Sequence, residues 1–280
     1  MGSHLITNPR SSSSRGLPPP LVVDSPHEIR CERFHLLQLV AHLYFILLGV
    51  WLWCRWGFLH LFRSGSLDCN AERKHLVGHM SFYVALLHRW GIIETEFVGF
   101  EEVSSWSGSV LVANHPSILD AVLIMTRVPS LDLLINARLL RHPVMGGAIR
   151  PCHYLRNDAP LSMIKSCRQR LASGSNILIF PEGTRTETPP LGEFHHGYAL
   201  ASTCAKAPIR TIFLQCDSDY FGPGFFFFKP ARCPIRFRLT MGRVFEPEPN
   251  VDPMELSAMV EAYFRANLGS IPKAHHPPPA

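Results

Sequence analysis

The sequence predicts an α/β fold: a mostly parallel or mixed sheet flanked by helices, with an N-terminal hydrophobic helical segment that associates with a membrane. Three observations predict it. Residues 34–54 carry no charge, residues 75–90 have apolar side chains at helical spacing, and short apolar runs alternate with helical patterns after Gly91. Strands that alternate with helices are typical of parallel sheets covered on both faces. A chain of 280 residues is long enough for one such domain and a smaller appendage.

The two ends of the chain have a different composition. Residues 1–28 are rich in Ser, Pro and Arg, and residues 271–280 in His and Pro. Such segments have too little apolar surface to bury, so both are predicted to be disordered. Residues 29–90 are then membrane-associating helices, and residues 91–270 form the main domain.

The first helical segment is nearly all apolar over residues 36–53. About twenty uncharged residues span roughly 30 Å as a helix, the thickness of a bilayer core. Three tryptophans near one end favour a membrane interface: Trp51, Trp53 and Trp56. Basic residues flank both ends, so no orientation follows. A spanning helix, a helix that dips into one leaflet and a buried core helix all remain open, and the stripe in 75–90 fits a core or an interfacial helix.

The main domain has recognisable element boundaries. Strands are predicted at 92–100, 110–113, 131–135, 177–180 and 209–214, and helices at 117–128, 161–173, 198–205 and 252–269. The last helix has a strong start signal, because Asp252 is followed by Pro253 at the first helical position and by Glu255 three residues after the cap.

Charge and cysteine usage exclude several classes of function. Lys and Arg number 27 against 22 Asp and Glu, a mild basic excess that suits an anionic lipid or a phosphate-bearing substrate. The sequence has no dense run of Lys and Arg, which argues against nucleic-acid binding. The eight cysteines form no CxxC pair, which argues for reduced thiols rather than a disulfide framework or a zinc site. The histidines are scattered without an HExxH motif, so no metal is expected.

The first chemical motif is Asn114-His115-Pro116-Ser117-Ile118-Leu119-Asp120, directly after an apolar strand. Five residues are about 500° of a continuous helix, so His115 and Asp120 would not face each other within one. If His115 lies in the turn and Asp120 in the first turns of the next helix, the carboxylate can bind one imidazole nitrogen and leave the other as a base. The alternative is a surface histidine beside an aspartate at a helix start.

The second motif is Phe180-Pro181-Glu182-Gly183-Thr184-Arg185, which also follows an apolar strand. Gly183 lets backbone amides approach an anion, and Arg185 can bind a phosphate or carboxylate through two parallel hydrogen bonds. Glu182 could orient Arg185 or bind a substrate hydroxyl. Read alone, the segment is also an ordinary turn. Both motifs lie at carboxyl ends of strands, where open α/β sheets bind ligands.

Together the two motifs resemble the lysophospholipid acyltransferase family, which is marked by an NHxxxxD block and a later FPEGTR block. The resemblance covers roughly residues 75–245 and makes residues 91–270 an acyltransferase catalytic domain. It implies that His115 is the general base and that Asp120 orients it. It also implies a substrate-binding set in which Gly183 and Arg185 bind the acceptor phosphate; the other members are Asn114, Glu182, Thr184 and Arg156.

Arg156 enters that set through a third, loosely matched block at residues 147–157, in which Arg150 is the competing choice. The sequence departs from the family pattern at two further points. Histidines 195 and 196 stand after Phe194 where basic residues are usual, and the last block keeps Pro208 without its second proline. These departures leave the identity of the acceptor open.

The resemblance implies transfer of an acyl group from acyl-CoA or acyl-ACP (acyl carrier protein) to 1-acyl-sn-glycerol-3-phosphate, giving phosphatidate. The thioester supplies the driving force, so no cofactor is expected, and without a GxSxG motif a serine acyl-enzyme is not supported. The implied partners are a membrane lipid acceptor, the acyl donor and the bilayer of a bacterial inner membrane, with the catalytic domain facing the cytoplasm. Two alternatives are acylation of another hydroxylated lipid or lipid-linked intermediate, and a non-catalytic lipid-binding membrane protein.

One further segment is unusual. Four consecutive phenylalanines at 225–228 follow a Gly/Pro-rich loop. They fit a loop that dips into the membrane or lines an acyl site as well as they fit a buried strand.

Overall fold

A computed structural model of the chain describes residues 32–62, 68–224, 233–248 and 250–268. The predicted disordered segments at 1–28 and 271–280 and the phenylalanine run at 225–228 lie outside these ranges. The described residues form one sheet with helices on both faces, which confirms the predicted fold class.

The strands of the sheet are β1 (Ile93–Val98), β2 (Val110–Ala113), β3 (Leu131–Ile135), β4 (Leu155–Arg156), β5 (Asn176–Ile179), β6 (Ile209–Cys216) and β7 (Ile235–Phe245). Their order is β1-β7-β6-β2-β5-β3-β4. β2 is parallel to both β5 and β6, β5 to β3, β3 to β4, and β1 to β7, whereas β6 and β7 are antiparallel. The sheet is therefore mostly parallel, and β2 and β5 end side by side near its centre.

The helices are α1 (Glu32–Phe62), α2 (Cys69–Arg89), α3 (Asp120–Met125), α4 (Gly146–Ile149), α5 (Pro160–Ala172), α6 (Gly197–Ala205) and α7 (Pro253–Leu268). Alternate residues of β2 belong to different cores. Leu111 and Ala113 pack with α1, α2 and α3, whereas Val110 and Val112 pack with α5, α6 and α7. All four are fully buried, which is why this strand is a continuous apolar run.

Two boundaries differ from prediction for local reasons. α2 begins at Cys69 rather than 75, because the Asp68 side chain accepts a hydrogen bond from the backbone N–H of Asn70 and caps the helix. α3 begins only at Asp120, since residues 117–119 form the turn that carries the first motif.

Strand β7 was not predicted. Buried Ile235, Phe237 and Leu239 alternate in it with arginines, the pattern of a strand with one solvated face. Those arginines pair across to β1, with Arg236 3.2 Å from Glu94 and Arg238 2.7 Å from Glu96. The alternation was present in the sequence, but the partner strand lies about 140 residues away.

Helix α1 has two unlike faces. Ala41, Leu48 and Leu52 are buried against the domain, whereas the opposite face exposes a stripe of large apolar side chains: Leu36, Val40, Leu43, Leu47, Val50, Trp51, Phe58 and Leu61. Of the described helices, α1 is the one with a segment, His35–Leu59, long and apolar enough to cross a membrane; a core helix would pass the same test. The contact with the domain covers one side of that segment and leaves the other side open.

Small residues make this contact close. A Cβ atom at Gly49 would lie 2.4 Å from Val144 Cγ1, and one at Gly147 would lie 2.5 Å from the Cα of Trp53. The guanidinium of Arg150 lies over the rings of Trp53 and Trp56, 5.0 and 5.2 Å from their centroids. These two tryptophans, predicted to mark a membrane interface, therefore pack against α4 and its flanking arginine.

Candidate active site

The two motifs meet at the adjacent carboxyl ends of β2 and β5. Val112 of β2 is in register with Ile179 of β5, so the residues that follow each strand start next to each other. The imidazole of His115 stacks on the ring of Phe180, with centroids 3.9 Å apart and planes at 16°. The first residue of the second motif is thus the platform on which the histidine of the first motif lies.

His115 and Asp120 are joined across the strand-to-helix turn. Nδ1 of His115 lies 2.9 Å from Oδ2 of Asp120, which is the first residue of α3. The same oxygen accepts a hydrogen bond of 2.7 Å from the backbone N–H of Ser117. His115 is partly exposed, with 19% of its side chain accessible, whereas Asp120 is fully buried. In this arrangement Nδ1 of His115 carries the proton and donates it in a hydrogen bond to Asp120. Nε2 is then the nitrogen that can accept a proton from a substrate.

Burial raises the pKa of the Asp120 carboxyl above its ordinary value. The hydrogen bond and charge of His115 and the backbone N–H of Ser117 oppose that shift. Oδ1 of Asp120 is also buried and has no hydrogen-bond donor among the described residues. The folded chain therefore bears an energetic cost for a charged group at this point, which is frequent at functional sites.

The dyad opens into a cavity of about 1120 Å³. Four of the predicted site residues line it: His115, Gly183, Thr184 and Arg185. Away from them the wall is apolar and comes from both helical and strand elements. It includes Phe45, Leu48, Gly49 and Leu52 of α1, Leu76 and Met80 of α2, Ala121, Val122 and Met125 of α3, and Ala148 and Ile149 of α4. The cavity thus has a polar end at the motifs and an apolar end beneath α1 and α2.

Arg185 belongs to the polar end. Its Nη1 donates hydrogen bonds to the carbonyl oxygens of Gly222 (2.5 Å) and Phe221 (3.3 Å). Ile118, in the turn after His115, donates its N–H to the same Phe221 carbonyl, 2.9 Å away. Gly183 has a φ of +70°, and a Cβ atom there would lie 3.2 Å from the ring of His195, which also lines the cavity.

Two other predicted substrate ligands are turned inward. The Asn114 side chain is buried and bridges to β6, since its Nδ2 donates to the carbonyl of Leu214 and its Oδ1 accepts from the N–H of Leu214, both at 2.8 Å. The buried carboxylate of Glu182 accepts from the backbone N–H groups of His115 (3.0 Å) and Gly192 (2.8 Å). Both side chains hold the loops together.

The two candidates from the third block do not meet Arg185 in the cavity. Arg156 is more than half exposed and forms an ion pair with Asp158. Arg150 donates from Nε to the carbonyl of Leu140, 2.9 Å away, and stacks on tryptophans of α1. Neither is among the described residues that line the cavity. The structure gives both arginines protein partners instead.

Sequence reasoning missed two arginines of the cavity wall, Arg138 and Arg141. They lie in a 3₁₀ turn (Ala137–Arg141) directly after β3, both are exposed, and both line the cavity. β3 is the parallel neighbour of β5, so these residues follow the same rule of strand carboxyl ends that identified the two motifs. That signal was available once β3 was predicted.

Comparison with known proteins shows that the chain is similar to acyltransferases. Residues 94–215 match the family model described as Acyltransferase. Over 128 residues, the chain is 27% identical to a chloroplastic 1-acyl-sn-glycerol-3-phosphate acyltransferase of Brassica napus, covering 44% of this chain and 37% of that protein. Over 164 residues it is 26% identical to the 1-acyl-sn-glycerol-3-phosphate acyltransferase of Pseudomonas aeruginosa, covering 56% and 63%. The chain thus spans less than two thirds of the curated relatives it matches.

A solved structure has the same fold over most of the chain. The 1-acyl-sn-glycerophosphate acyltransferase PlsC from Thermotoga maritima superposes with a TM-score of 0.62 and 19% identity, covering 84% of this chain and 93% of that one.

Proposed function

We propose that the chain belongs to the lysophospholipid acyltransferase family, whose members it resembles, and that it transfers a fatty acyl group from a thioester to the hydroxyl of a lysophospholipid. The observation that carries the proposal is the His115–Asp120 pair, 2.9 Å apart, open to a cavity with a cationic and an apolar end. The proposed acceptor is 1-acyl-sn-glycerol-3-phosphate, and the product is phosphatidate. Residues 91–270 would carry the chemistry and residues 29–90 the membrane contact.

His115 acts as the general base in this mechanism. Nε2 takes the proton of the acceptor hydroxyl while the oxygen attacks the thioester carbonyl carbon. The carbon–sulfur bond then breaks, and the leaving thiolate receives the proton from the imidazolium. Asp120 holds the tautomer and stabilises the imidazolium, and such base catalysis contributes about 10²–10⁴-fold. The donor is acyl-CoA or acyl-ACP, and no further cofactor takes part.

The acceptor phosphate is bound at the polar end. Arg185, Arg138 and Arg141 line the cavity, and Glu187 is the one carboxylate among the described lining residues. A dianionic headgroup suits this excess of positive charge, and guanidinium groups bind phosphate oxygens in pairs. The acyl chain of the donor would occupy the apolar end, where burial contributes about 0.8 kcal/mol for each methylene group.

The exposed stripe of α1 is the proposed membrane contact. Leu43 and Leu47 are 55% and 57% exposed on the face opposite the domain. Because one side of α1 lies against the domain, we propose that the helix lies in one leaflet rather than crossing both. We propose in addition that this membrane is a bacterial inner membrane and that the catalytic domain lies on its cytoplasmic side.

An acceptor screen tests the proposal. Purified protein in detergent is given one labelled acyl chain on CoA or on carrier protein, with a panel of hydroxylated lipids. We expect fastest transfer to 1-acyl-sn-glycerol-3-phosphate and none above background with His115→Ala. Absence of transfer to every acceptor, or equal turnover in His115→Ala, would contradict the proposal and favour the non-catalytic lipid-binding alternative.

One observation favours a second acceptor class. His195 lines the cavity at the position where the family usually has a basic residue. A histidine in place of a lysine or arginine removes a permanent positive charge, which suits a less charged headgroup than a phosphomonoester. Faster transfer to another hydroxylated lipid or lipid-linked intermediate in the same screen would identify that class.

A further inference from the structure

We propose that Glu182 and Thr186 are positioning residues that hold His115 in place and couple its alignment to headgroup binding at Arg185. The inference rests on the proposed function, because it takes His115 as the base and Arg185 as an acceptor ligand. It gives Glu182 a different role from the substrate contact that the motif implies.

The peptide of His115 is held from both sides by the turn after β5. Its N–H donates to Oε1 of Glu182 at 3.0 Å, and its carbonyl accepts from the N–H of Thr186 at 2.8 Å. His115 lies on a loop rather than in a regular element, so these contacts replace the ladder that would otherwise fix its backbone. The position of the base thus depends on Glu182 and Thr186, which follow His115 by 67 and 71 positions in the chain.

The Glu182 carboxylate is fully engaged within the protein. Oε1 also accepts from the hydroxyl of Thr186 at 2.8 Å, and Oε2 accepts from the N–H of Gly192 at 2.8 Å. Glu182 and Thr186 are 8% and 6% exposed. A Cβ atom at Gly192 would lie 2.9 Å from Oε2, so a side chain there would displace the carboxylate. With these donors bound, Glu182 organises loops instead of meeting a substrate hydroxyl.

Arg185 lies inside the same turn, between the two anchoring residues. Its neighbour Thr186 contacts His115, and its own guanidinium contacts the carbonyls of Phe221 and Gly222. The loop at Phe221 also receives the N–H of Ile118, three residues after His115. A headgroup that binds Arg185 therefore pulls on a turn bonded directly to the base. Displacements of about 1 Å are enough to lower turnover about 10²-fold.

The test uses a substitution that removes one donor and little volume. Thr186→Val loses the hydroxyl bond to Glu182 and keeps the backbone bond to His115. We expect kcat to fall about tenfold, with the KM for donor and acceptor changed less than about twofold, and Thr186→Ser to restore it. Thr203→Val on α6 is the matched control, since that hydroxyl bonds carbonyls of its own helix. It should leave kcat unchanged.

A double-variant cycle tests the coupling itself. Arg185→Ala should lower kcat as well as raise the acceptor KM, and in a Thr186→Val background it should lower kcat much less. If the two substitutions together lowered kcat by the product of their separate factors, they would act independently, and the proposed coupling would be wrong. Wild-type kcat in Thr186→Val, or a loss of kcat fully explained by a lower melting temperature, would overturn the positioning role. Full activity in His115→Ala would instead refute the proposed function, so the two failures are distinguishable.

Discussion

The two ends of the cavity are built by different means. The polar end is made of loops at strand ends, which place Gly183, Arg185 and His115, the residues that the motifs predict to act on the substrate, at the cavity wall. The apolar end is made of helix faces, where side chains such as Leu48 and Met80 contribute surface that any residue of similar size would supply. A substitution at the first end should therefore change the reaction, and one at the second should change which chain fits.

The largest effect is expected at the buried member of the dyad. Asp120→Asn should lower kcat about 10²-fold or more, because the amide no longer stabilises the imidazolium that forms during proton transfer. Initial rates at saturating donor and acceptor measure it. A loss of less than fivefold would mean that Asp120 serves only to begin α3.

The same variant should not unfold. Burial raises the pKa of Asp120 above 3.8, so as pH rises the unfolded chain releases this proton before the folded chain does. The contribution of Asp120 to the free energy of unfolding thus falls across the pH window above 3.8, up to the raised pKa. Asp120→Asn should lack that decline in denaturant titrations at several pH values. An inactive variant that is also unfolded at neutral pH would leave the dyad without support.

Next in size is the effect of removing the headgroup arginine. Arg185→Ala should raise the KM for the acceptor about 30-fold, since hydrogen bonds between charged groups are worth about 1.5–3 kcal/mol, and leave the donor KM unchanged. Arg156→Ala is the matched comparison and should change it less than about twofold, because Arg156 is exposed and paired with Asp158. If Arg156→Ala raised the acceptor KM more than Arg185→Ala did, Arg156 would be the phosphate ligand instead.

A smaller change is expected from the outer face of α1. Leu43→Asn together with Leu47→Asn should weaken binding to vesicles of anionic phospholipid about tenfold, because each leucine is little more than half exposed and contributes only part of its transfer free energy. Cosedimentation measures it. Leu161→Asn on α5, 90% exposed in wild type, is the control and should bind normally. Equal weakening by the control would argue against α1 as the membrane face.

The smallest effect should appear at the apolar end. Ala148→Phe fills part of the cavity wall on α4, so acyl donors that reach it should lose about fourfold in kcat/KM for each methylene excluded, at about 0.8 kcal/mol each. Shorter donors should be unaffected. Ala172→Phe, exposed at the end of α5, controls for added bulk. A uniform loss at every chain length would indicate a packing defect.

Much of the fold was predictable because it is encoded locally. The four-residue run of β2, the start of α7 at Asp252 and the resemblance to acyltransferases follow from short stretches, and residues 94–215 match the Acyltransferase family model. Strand β7 and the placement of Arg156 were not predictable in this way. Strand β7 depends on the distant strand β1 that lies alongside it. Arg156 lies at the edge of the sheet because β4 pairs with β3, and there it binds Asp158 two residues later instead of lining the cavity.

By itself, the sequence determined the residues of the predicted chemistry: two motifs after apolar strands predicted a base with its carboxylate partner and an anion-binding arginine. Only the tertiary structure decided how that chemistry is held. Asn114 and Glu182 belong to the motifs as much as His115 does, yet they bind the backbones of Leu214, His115 and Gly192. A motif gives residue types and spacing, but whether a polar side chain faces substrate or backbone depends on the strands that flank it. The buried carboxylate needs donors, and the neighbouring loops supply them.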